Sequence, residues 1–533
     1  MMDRLLYRLL ISSLVFLSLP QIPQLLAAPQ RTFMVESYGK NKNAIDRLVS
    51  DVNKNQGGRI VFPKNETYYL SIADDPNGGH KLRPQESSIL FAFKDCKYLD
   101  IDMNGSRIVL KGNHSSKYSI FYFFNCSSFS LRNGSLEGDA MTHNYSPVVF
   151  RGKVEKSTHE WGHGIMVLGS KGKISNMTVS YMSGDGIYVA SFRSSGKVLD
   201  AETEIDSCDI GHCRRNGLSI ASNTGFRLSN TSIHHVGSFD GISGTNPKAG
   251  IDFEYEDRIG NKGDVLITGC TIRDCEKKLI SASNVHVPEV LSFVIDDCVF
   301  DGASFQLANL RAEKGKTVRN SRFTCAPMNC GNSVMENCVF VLGPKVHYVH
   351  GTTFKHCEFQ GTLKNLSKPY GCTIVGNSLA TAVFEDCIFR DIRGMNDNSP
   401  VFQGISGYHF PLSAHFKDCS FQNTSFVKGN SKIKSSFLFE NCTLSKGCMI
   451  FNEGGSAVVF RGSTVDNVSS YKTQNGEFSF ENCEIIQDDE SVNNPLLYFG
   501  THSIKNSRVK NTLSITPKMR AKGVRKIKYK ESK

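Results

Sequence analysis

Three stretches of the chain read VFEDCIF (Val383–Phe389), HFKDCSF (His415–Phe421) and LFENCTL (Leu438–Leu444). Each contains an apolar residue, a variable residue, Asp or Asn, a small residue, another variable residue and a second apolar residue. Successive copies lie about 20 to 32 residues apart, and further copies surround Cys96, Cys298, Cys338, Cys357 and Cys483. This period is typical of a solenoid, in which each repeat buries its apolar face against its neighbours.

The copies predict strands, because apolar and polar residues alternate with a period of two and β-branched and aromatic residues dominate. No helical pattern separates the copies, which disfavours helical repeats and βαβ folds. The remaining architecture is all-β, with strands joined by short turns and wound into a coil. Equivalent residues of neighbouring coils then stack about 4.8 Å apart, the normal spacing of paired strands.

The 17 cysteines are an odd number, and most occupy the small-residue position of the repeat. Stacked thiols point in parallel directions, which is poor disulfide geometry even at the spacing of paired strands. We therefore expect most cysteines to be packing residues in a ladder at one interior corner. The preceding Asp or Asn would satisfy the backbone of the turn.

The N-terminus resembles a secretory signal peptide over residues 1–28. It has basic Arg4 and Arg8, an apolar run from Leu9 to Leu19, and the small residues Ala27 and Ala28. No later stretch reaches the ~20 apolar residues that a membrane-spanning helix needs. The sequence thus predicts a secreted or periplasmic protein without a membrane span.

One β-helix domain is predicted for residues 29–517, with a capping helix at its start. The cap covers residues 43–55 and precedes the strand Arg59–Phe62. Its apolar face comprises Ile45, Leu48, Val49 and Val52. Such a helix covers the open first coil of a solenoid.

The formal net charge of +11 is concentrated at the C-terminus. Residues 518–533 carry eight Lys or Arg and one Glu, so +7 of the charge lies in this basic tail. The remainder is close to neutral for its size, which does not favour a nucleic-acid partner. The oligomeric state is left open.

The chain resembles the pectate-lyase and polygalacturonase superfamily of single-stranded right-handed parallel β-helices. The resemblance lies in the helix followed by GGRIVFP, the recurring G-I-x-V strands, and the segment from CRRNGLSIAS to PKAGIDFEYE. It implies a fold and a carbohydrate polymer as substrate, but not one reaction, since lyases, hydrolases and epimerases share the fold. Gly162-His163-Gly164 matches a polygalacturonase motif, whereas the corresponding strand has no paired Asp-Asp and the chain has no R-I-K motif.

Four strands align by their glycines, at Gly164, Gly186, Gly217 and Gly250. Because side chains alternate along a strand, the apolar second and fourth residues point inward and the residues between them point outward. The outward residues form three columns across the coils: His163, Asp185, Asn216 and Ala249; Met166, Tyr188, Ser219 and Asp252; and Leu168, Ala190, Ala221 and Glu254.

These columns predict a site for acid/base chemistry on a sugar. Asp252 and Glu254 lie two residues apart, with Cα atoms roughly 6.7 Å apart, which suits either retaining or inverting glycosidases. We expect Asp252, Glu254 and Asp185 to be catalytic, unless they are ordinary solvated residues of an exposed sheet. The expected substrate-binding residues are His163, Tyr188, Arg215, Asn216, Trp161 and Asp240.

His159-Glu160-Trp161-Gly162-His163 also matches the zinc-protease string H-E-x-x-H. That motif requires a helix, which places both histidines on one face, together with a third metal ligand. The two glycines and the strand that follows make a helix here improbable. We expect no metal at this motif.

Three functions remain open at this point. The first is a glycoside hydrolase that needs no cofactor and uses Asp252 and Glu254 with assistance from Asp185. The second is a polysaccharide lyase or epimerase acting on uronic-acid polymers, with Ca²⁺ bound by the carboxylates and Arg215 or Lys248 as the base. The third is a glycan-binding protein without catalytic activity.

Overall fold

The computed structural model describes residues 31–511, except for 75–85, 151–152, 156–158, 223–224, 255–261, 283–288, 325, 344–345, 362–372, 377–380, 393–401, 405–412, 427–435, 451–456, 471–476, 490–491, 493–495 and 499–500. The predicted signal peptide and the predicted basic tail lie outside the described residues. The domain boundaries therefore stay a prediction.

Strands of successive coils pair in parallel and form the walls of a right-handed parallel β-helix, which confirms the predicted fold class. Sheet 1 forms one wall and has 12 strands among the described residues. These strands are Ile89–Lys94, Lys117–Phe124, Trp161–Leu168, Ile187–Ala190, Leu218–Ile220, Ala249–Phe253, Lys278–Ala282, Ser304–Gln306, Met328–Asn329, Val346–Tyr348, Thr373–Gly376 and Phe402–Gly404.

Sheet 2 forms the remaining walls, with 33 strands in the part of the chain that the structure describes. Its first half comprises Thr32–Met34, Gly57–Val61, Thr67–Leu70, Tyr98–Asp102, Arg107–Leu110, Phe129–Glu137, Lys171–Ser180, Glu202–Asp206, Asp209–Gly211, Gly225–Ser229, Ser232–Val236, Asp264–Thr268, Thr271–Cys275, Phe293–Asp296, Val299–Asp301 and Lys316–Arg319. Its second half comprises Arg322–Thr324, Val334–Glu336, Val339–Leu342, Thr353–Lys355, Glu358–Gly361, Ala382–Glu385, Ile388–Arg390, Ser413–Lys417, Ser420–Gln422, Ser436–Glu440, Thr443–Leu444, Ala457–Arg461, Thr464–Asp466, Glu477–Glu481, Glu484–Gln487, Thr501–Lys505 and Arg508–Asn511.

Smaller elements lie outside these two sheets. Two antiparallel hairpins pair Val148–Phe150 with Lys153–Glu155 and Phe192–Ser194 with Lys197–Leu199. The other short strands are Glu289–Val290, Arg311–Ala312, Ser425–Phe426, Met449–Ile450 and Ser469–Ser470. Short 3-10 turns cover Val35–Ser37, Glu86–Ser88 and Leu496–Tyr498.

The repeated Asp or Asn forms a corner between two strands of sheet 2. Asp386, Asp418 and Asn441 have φ angles of 49°, 54° and 52°, in the left-handed region. Asn and Asp adopt this conformation more readily than other residues with a side chain, because their short polar groups bond locally. The repeat therefore bends the chain once per coil at this position.

The small residue that follows the corner points into the core. All 15 cysteines of the described residues are free and buried. Cys387 is typical, since its thiol donates to the carbonyls of Glu385 at 3.3 Å and of Phe354, one coil away, at 3.5 Å. This arrangement confirms the predicted ladder of packing cysteines.

Aromatic rings stack through the core beside this ladder. The Phe384, Phe416 and Phe439 rings follow one another with centroids 4.9 and 4.8 Å apart. Because the coils repeat at strand spacing, each ring lies directly on its equivalent in the next coil. Aromatic stacking therefore runs through consecutive coils in the second half of the β-helix.

Helix α1 (Lys42–Lys54) confirms the predicted N-terminal cap. The side chain of Asn41 accepts a hydrogen bond from the amide of Ala44 at 2.9 Å, which satisfies a free donor of the first turn. Ile45, Leu48 and Val52 are fully buried against the first coil.

Candidate active site on the outer face of sheet 1

The register of sheet 1 agrees with the alignment of the four glycine-led strands. Met166 pairs with Tyr188, Tyr188 with Ser219, and Ser219 with Asp252. Ile165, between His163 and Met166, is fully buried in the main core. The middle predicted column, Met166, Tyr188, Ser219 and Asp252, therefore exists, and it lies on the side of the sheet opposite the core-facing Ile165. Leu168 and Ala190 of a second predicted column also pair directly.

This outer face is covered, however, whereas the sequence suggested a sheet exposed to solvent. Met166, Leu168 and Tyr188 are only 1%, 0% and 6% exposed, and they form a second apolar cluster outside the main core. The ring of Phe192, from the hairpin Phe192–Leu199, packs edge-on against Phe124 at 5.6 Å beside this cluster. A side chain of this wall can therefore point outward and still be shielded from solvent.

Arg215 joins two of the three predicted catalytic carboxylates. Its Nη1 donates to Asp185 Oδ2 at 2.9 Å, and its Nη2 donates to the two Glu254 carboxylate oxygens at 2.7 and 3.0 Å. The side chains of Arg215 and Glu254 are 13% and 14% exposed, and that of Asp185 is fully buried. Such charge-assisted pairs are strong where little water screens them.

The neighbouring carboxyls of Asp252 and Glu254 are pushed to opposite protonation states. Burial and then the adjacent Glu254 raise the pKa of Asp252 well above its ordinary value. Burial also opposes ionisation of Glu254, but Arg215 outweighs it and lowers the pKa of that carboxyl. The pair can therefore present one protonated and one ionised carboxyl at neutral pH.

Asp185 lies in the coil that precedes Arg215, and its carboxyl group accepts hydrogen bonds from the next coil. Burial raises its pKa to about 7, although the charge of Arg215 opposes this shift. Asp185 Oδ1 accepts the amide of Asn216 at 3.1 Å, and the Asn216 side chain donates to Ser219 Oγ at 3.0 Å. Asn216 Oδ1 in turn accepts the amide of Ala249, so this Asn connects two coils.

His163 and Tyr188 lie beside this group. Their rings stack with centroids 5.2 Å apart, and His163 Nδ1 lies 3.5 Å from Asp185 Oδ2. Burial and the charges of Arg215 and Lys117 lower the pKa of His163 to about 3. His163 is therefore a neutral imidazole next to the acidic group.

Three buried polar atoms of this group have no hydrogen-bond partner among the described residues. They are His163 Nε2, Arg215 Nε and Asp252 Oδ2. Buried polar atoms are usually paired, so unused hydrogen-bonding capacity in adjacent coils requires an explanation. Hydroxyl groups of a bound sugar would supply both donors and acceptors at this place.

Trp161 is half-buried at the start of its strand. Lys117 of the preceding coil pairs with it, and the Lys117 Nζ lies 4.0 Å from the centre of the indole ring. Lys278 is a further basic residue of the wall, and its charge contributes to the lowered pKa of Glu254. Neither lysine is among the site residues expected from sequence. Aligning one more strand before Trp161–Leu168 and one more after Ala249–Phe253 would have located Lys117 and Lys278.

Asp240 and Lys248 are placed elsewhere. Asp240 is exposed, with φ 46°, in the tight turn closed by Phe239 and Ile242. Lys248 forms an ion pair with Glu276 and donates to Ser238. No contact of Asp240 with the acidic group occurs in the part of the chain that the structure describes.

The residues do not favour a metal site. Trp161–Leu168 is a strand, so the H-E-x-x-H string lacks the helix that it needs. Two of the three acidic side chains bind Arg215, which leaves them poorly suited to Ca²⁺. Over the described ranges, no group of three or more His, Cys, Asp and Glu side chains could hold a metal ion.

No helix in the same ranges has the length and apolar character for crossing a membrane.

Comparison with known proteins agrees with this architecture. Residues 163–324 match the family described as "Right handed beta helix region". The uncharacterized SPbeta prophage-derived protein YorA of Bacillus subtilis (strain 168) is 32% identical over 259 residues, which are 47% of this chain and 37% of YorA. The uncharacterized protein YclG of the same strain is 31% identical over 151 residues, 27% of this chain and 24% of YclG. The chain thus matches well under half the length of these curated relatives.

Solved structures of similar fold include the A-module of the Azotobacter vinelandii mannuronan C-5 epimerase AlgE6. It is 11% identical, with a TM-score of 0.31, over 90% of this chain and 100% of that chain. The pectate lyase Pel9A is 12% identical, with a TM-score of 0.23, over 87% of this chain and 80% of that chain. These similarities concern the β-helix fold alone.

Proposed function

We propose that this protein is a polysaccharide-active enzyme, a glycoside hydrolase whose acid/base pair is Asp252 and Glu254. The observation that carries the proposal is the geometry of two neighbouring carboxyls, of which Glu254 accepts two hydrogen bonds from Arg215 and Asp252 lies buried beside it. Glycoside hydrolysis needs one protonated carboxyl that donates to the leaving oxygen and one carboxylate that acts as base or nucleophile.

The surrounding side chains have supporting roles in this proposal. Asp252 is the general acid and Glu254 the carboxylate, held ionised and oriented by two hydrogen bonds from Arg215. Asp185 assists by holding the other side of Arg215. His163 and Tyr188 would bind the sugar, and the partly exposed Glu254 and Arg215 mark the side from which it approaches.

A lyase or epimerase is the less favoured alternative. It would require a base such as Arg215 or Lys248, yet both side chains are engaged in ion pairs. The carboxylates of Asp185 and Glu254 further hold the pKa of Arg215 above its ordinary value, against the effect of burial. A guanidinium in that state does not remove a proton from a sugar.

Product analysis tests the proposal on a panel of neutral and uronic-acid polysaccharides. Hydrolysis gives new reducing ends without unsaturated products, and we expect Asp252→Asn and Glu254→Gln each to lower turnover by ~10²-fold or more. Asp301→Asn, which removes an exposed carboxyl from sheet 2, is the matched control and should retain activity.

Two outcomes would overturn the proposal. Unsaturated products that absorb in the far ultraviolet would establish a lyase instead. Sugar binding that persists in both variants, with no turnover by the unmodified protein, would establish a glycan-binding protein.

A further inference from the structure

Arg214 lies next to Arg215 in the chain but binds different groups. Its residue is only 7% exposed. Its Nε donates to the carbonyl of Ser243 at 2.8 Å. Its Nη1 donates to the carbonyls of Ser183 and His159, at 3.3 and 3.4 Å. Whereas Arg215 binds carboxylates, Arg214 therefore binds the backbone of three separate chain segments.

Each of these carbonyls lies in a turn that leads into a strand of sheet 1. The strands are Trp161–Leu168 after His159, Ile187–Ala190 after Ser183, and Ala249–Phe253 after Ser243. Arg214 itself precedes Leu218–Ile220, the strand between the second and the third of them. A guanidinium is planar, stays charged in proteins and has donors in fixed directions. One side chain thus connects the turns of four consecutive coils.

An aromatic ring holds this guanidinium from another direction. The Cζ of Arg214 lies 4.4 Å from the centre of the Tyr145 ring, which is a cation–π contact. The Tyr145 hydroxyl donates to the carbonyl of Ala140 at 2.9 Å, which fixes the ring. The segment that follows the strand Phe129–Glu137 therefore also contributes to the position of Arg214.

The backbone around Arg214 carries two residues of the candidate site. The amide of Arg214 donates to the carbonyl of Met182 at 3.0 Å, and the amide of Arg215 donates to that of Gly184 at 3.1 Å. These bonds place the Arg215 turn (residues 213–216) on the Asp185 turn (residues 182–185). The side chains of Arg215 and Asp185 project from these two turns, so their relative position depends on how firmly the turns are held.

We propose that Arg214 is a positioning residue, which holds the Asp185 turn and the Arg215 turn in the arrangement that places Arg215 between Asp185 and Glu254. The hydrogen bonds of Arg215 to the two carboxyls depend on direction as well as distance, so a shift of about 1 Å in either turn would weaken them. The effect on turnover rests on the proposed function, but the effect of Arg214 on the two turns does not.

Hydrogen exchange followed by mass spectrometry tests the effect on the turns without any activity. In the full-length protein, Arg214→Met keeps an unbranched apolar side chain but removes every donor. We expect about tenfold faster exchange in peptides that cover the Asp185 turn and the Arg215 turn. The matched control is Arg319→Met, because Arg319 binds Asp296 at 2.9 Å on sheet 2. It should leave exchange in both turns unchanged.

The pH dependence of kcat/KM separates positioning from a general loss of stability. Burial opposes ionisation of Glu254, but Arg215, Asp252 and Lys278 favour it and lower its pKa. If Arg214→Met loosens the contact of Arg215 with Glu254, the acidic limb of the profile should move to higher pH, by about one unit. A smaller folded fraction lowers kcat without moving this limb, and Arg319→Met should keep the limb of the wild type.

Arg214→Lys is the second variant, for use if Arg214→Met does not fold. It keeps the positive charge, but an ammonium group lacks the planar fork that reaches the carbonyls of Ser183, His159 and Ser243 together. Exchange in the two turns and the acidic limb should change in the same directions as in Arg214→Met, by smaller amounts.

Unchanged exchange in both turns of a folded variant would overturn the inference. An acidic limb that stays in place while kcat falls would also overturn it, because Arg214 would then have a structural role only. Faster exchange in both turns, together with no hydrolysis by the unmodified protein, would support the effect of Arg214 on the turns and reject the proposed function. The two proposals can therefore fail independently.

Discussion

At the scale of single residues, the candidate site is a set of buried charges that hold one another. Arg215 lies between Asp185 and Glu254, and among the described residues Asp252 has no arginine partner. Arg215 lowers the pKa of Glu254, whereas burial and the neighbouring Glu254 raise the pKa of Asp252. Two carboxyls that look equivalent in the sequence thus differ in their contact with Arg215.

Replacing Arg215 by Met should destabilise the protein by ~3–5 kcal/mol, because it leaves the buried carboxylates without their partner. Thermal unfolding measures the effect. The matched control is Arg273→Met, which breaks the exposed pair with Asp274 and should cost at most ~1 kcal/mol. Equal losses in the two variants would contradict the importance assigned to Arg215.

The pH dependence of stability provides a second prediction at this scale. The pKa of His163 falls from 6.5 to about 3 on folding, so the unfolded chain binds more protons between these values and stability decreases as the pH falls. The pKa of Asp185 rises from 3.8 to about 7, so the folded chain binds more protons and stability decreases as the pH rises. The two effects oppose each other in the wild type.

His163→Gln removes the first of these two contributions. Relative to the wild type, we expect the free energy of unfolding of the variant to fall by on the order of 1 kcal/mol for each pH unit between pH 4 and pH 6. Thermal unfolding of both proteins at several pH values measures this difference in slope. His356→Gln, at an exposed histidine, should keep the wild-type slope, and a wild-type slope in His163→Gln would contradict the prediction.

At the scale of elements, each coil depends on a corner with a left-handed residue. Asn441 shows why the repeat contains Asn or Asp there: its φ is 52°, and its side chain donates to Asp418 of the preceding coil at 3.2 Å. The same corner directs Cys442 into the core, where its thiol donates to Phe416 and Glu440 carbonyls. The Asp/Asn-Cys motif is therefore explained by backbone geometry, side-chain hydrogen bonding and core packing together.

Asn441→Val should lower stability by ~1–2 kcal/mol or more, because a β-branched residue is strained in the left-handed region. Asn441→Gly is the informative comparison, since it also removes the side chain but adopts this φ readily. Thermal unfolding of both variants separates the two contributions. If Gly and Val are equally destabilising, the lost bond to Asp418 rather than backbone strain explains the effect.

At the scale of the whole molecule, the β-helix is stabilised coil by coil, without a disulfide among the described residues. The 15 described thiols are buried in the stack, and each coil contacts mainly its two neighbours. Stability then arises from many similar interfaces between coils.

In the native protein the 15 described thiols should accordingly be protected from a thiol reagent, whereas the protein in guanidinium chloride should expose all 17 thiols of the chain. Ellman's reagent measures both numbers. The thermal midpoint should be the same with and without a reductant, because the 15 described cysteines form no disulfide. A lower midpoint in the reductant would show that some cysteines form disulfides.

The coiled arrangement of strands could be predicted from the sequence alone. The spacing of the Asp/Asn-Cys motif predicted parallel strands, the apolar face of residues 43–55 predicted the cap, and the glycines at 164, 186, 217 and 250 predicted the register of sheet 1. These features are periodic and local, so a strand period of two and the repeat length suffice to place them.

How the site is built could be read only from the folded chain. The alternation of side chains placed Met166 and Tyr188 outward but could not show that this face is covered. It also gave Arg215 a position near the carboxylates without showing that its two ends bind Asp185 and Glu254. These contacts join residues 30 and 39 positions apart, and no periodic pattern encodes which side-chain atoms meet.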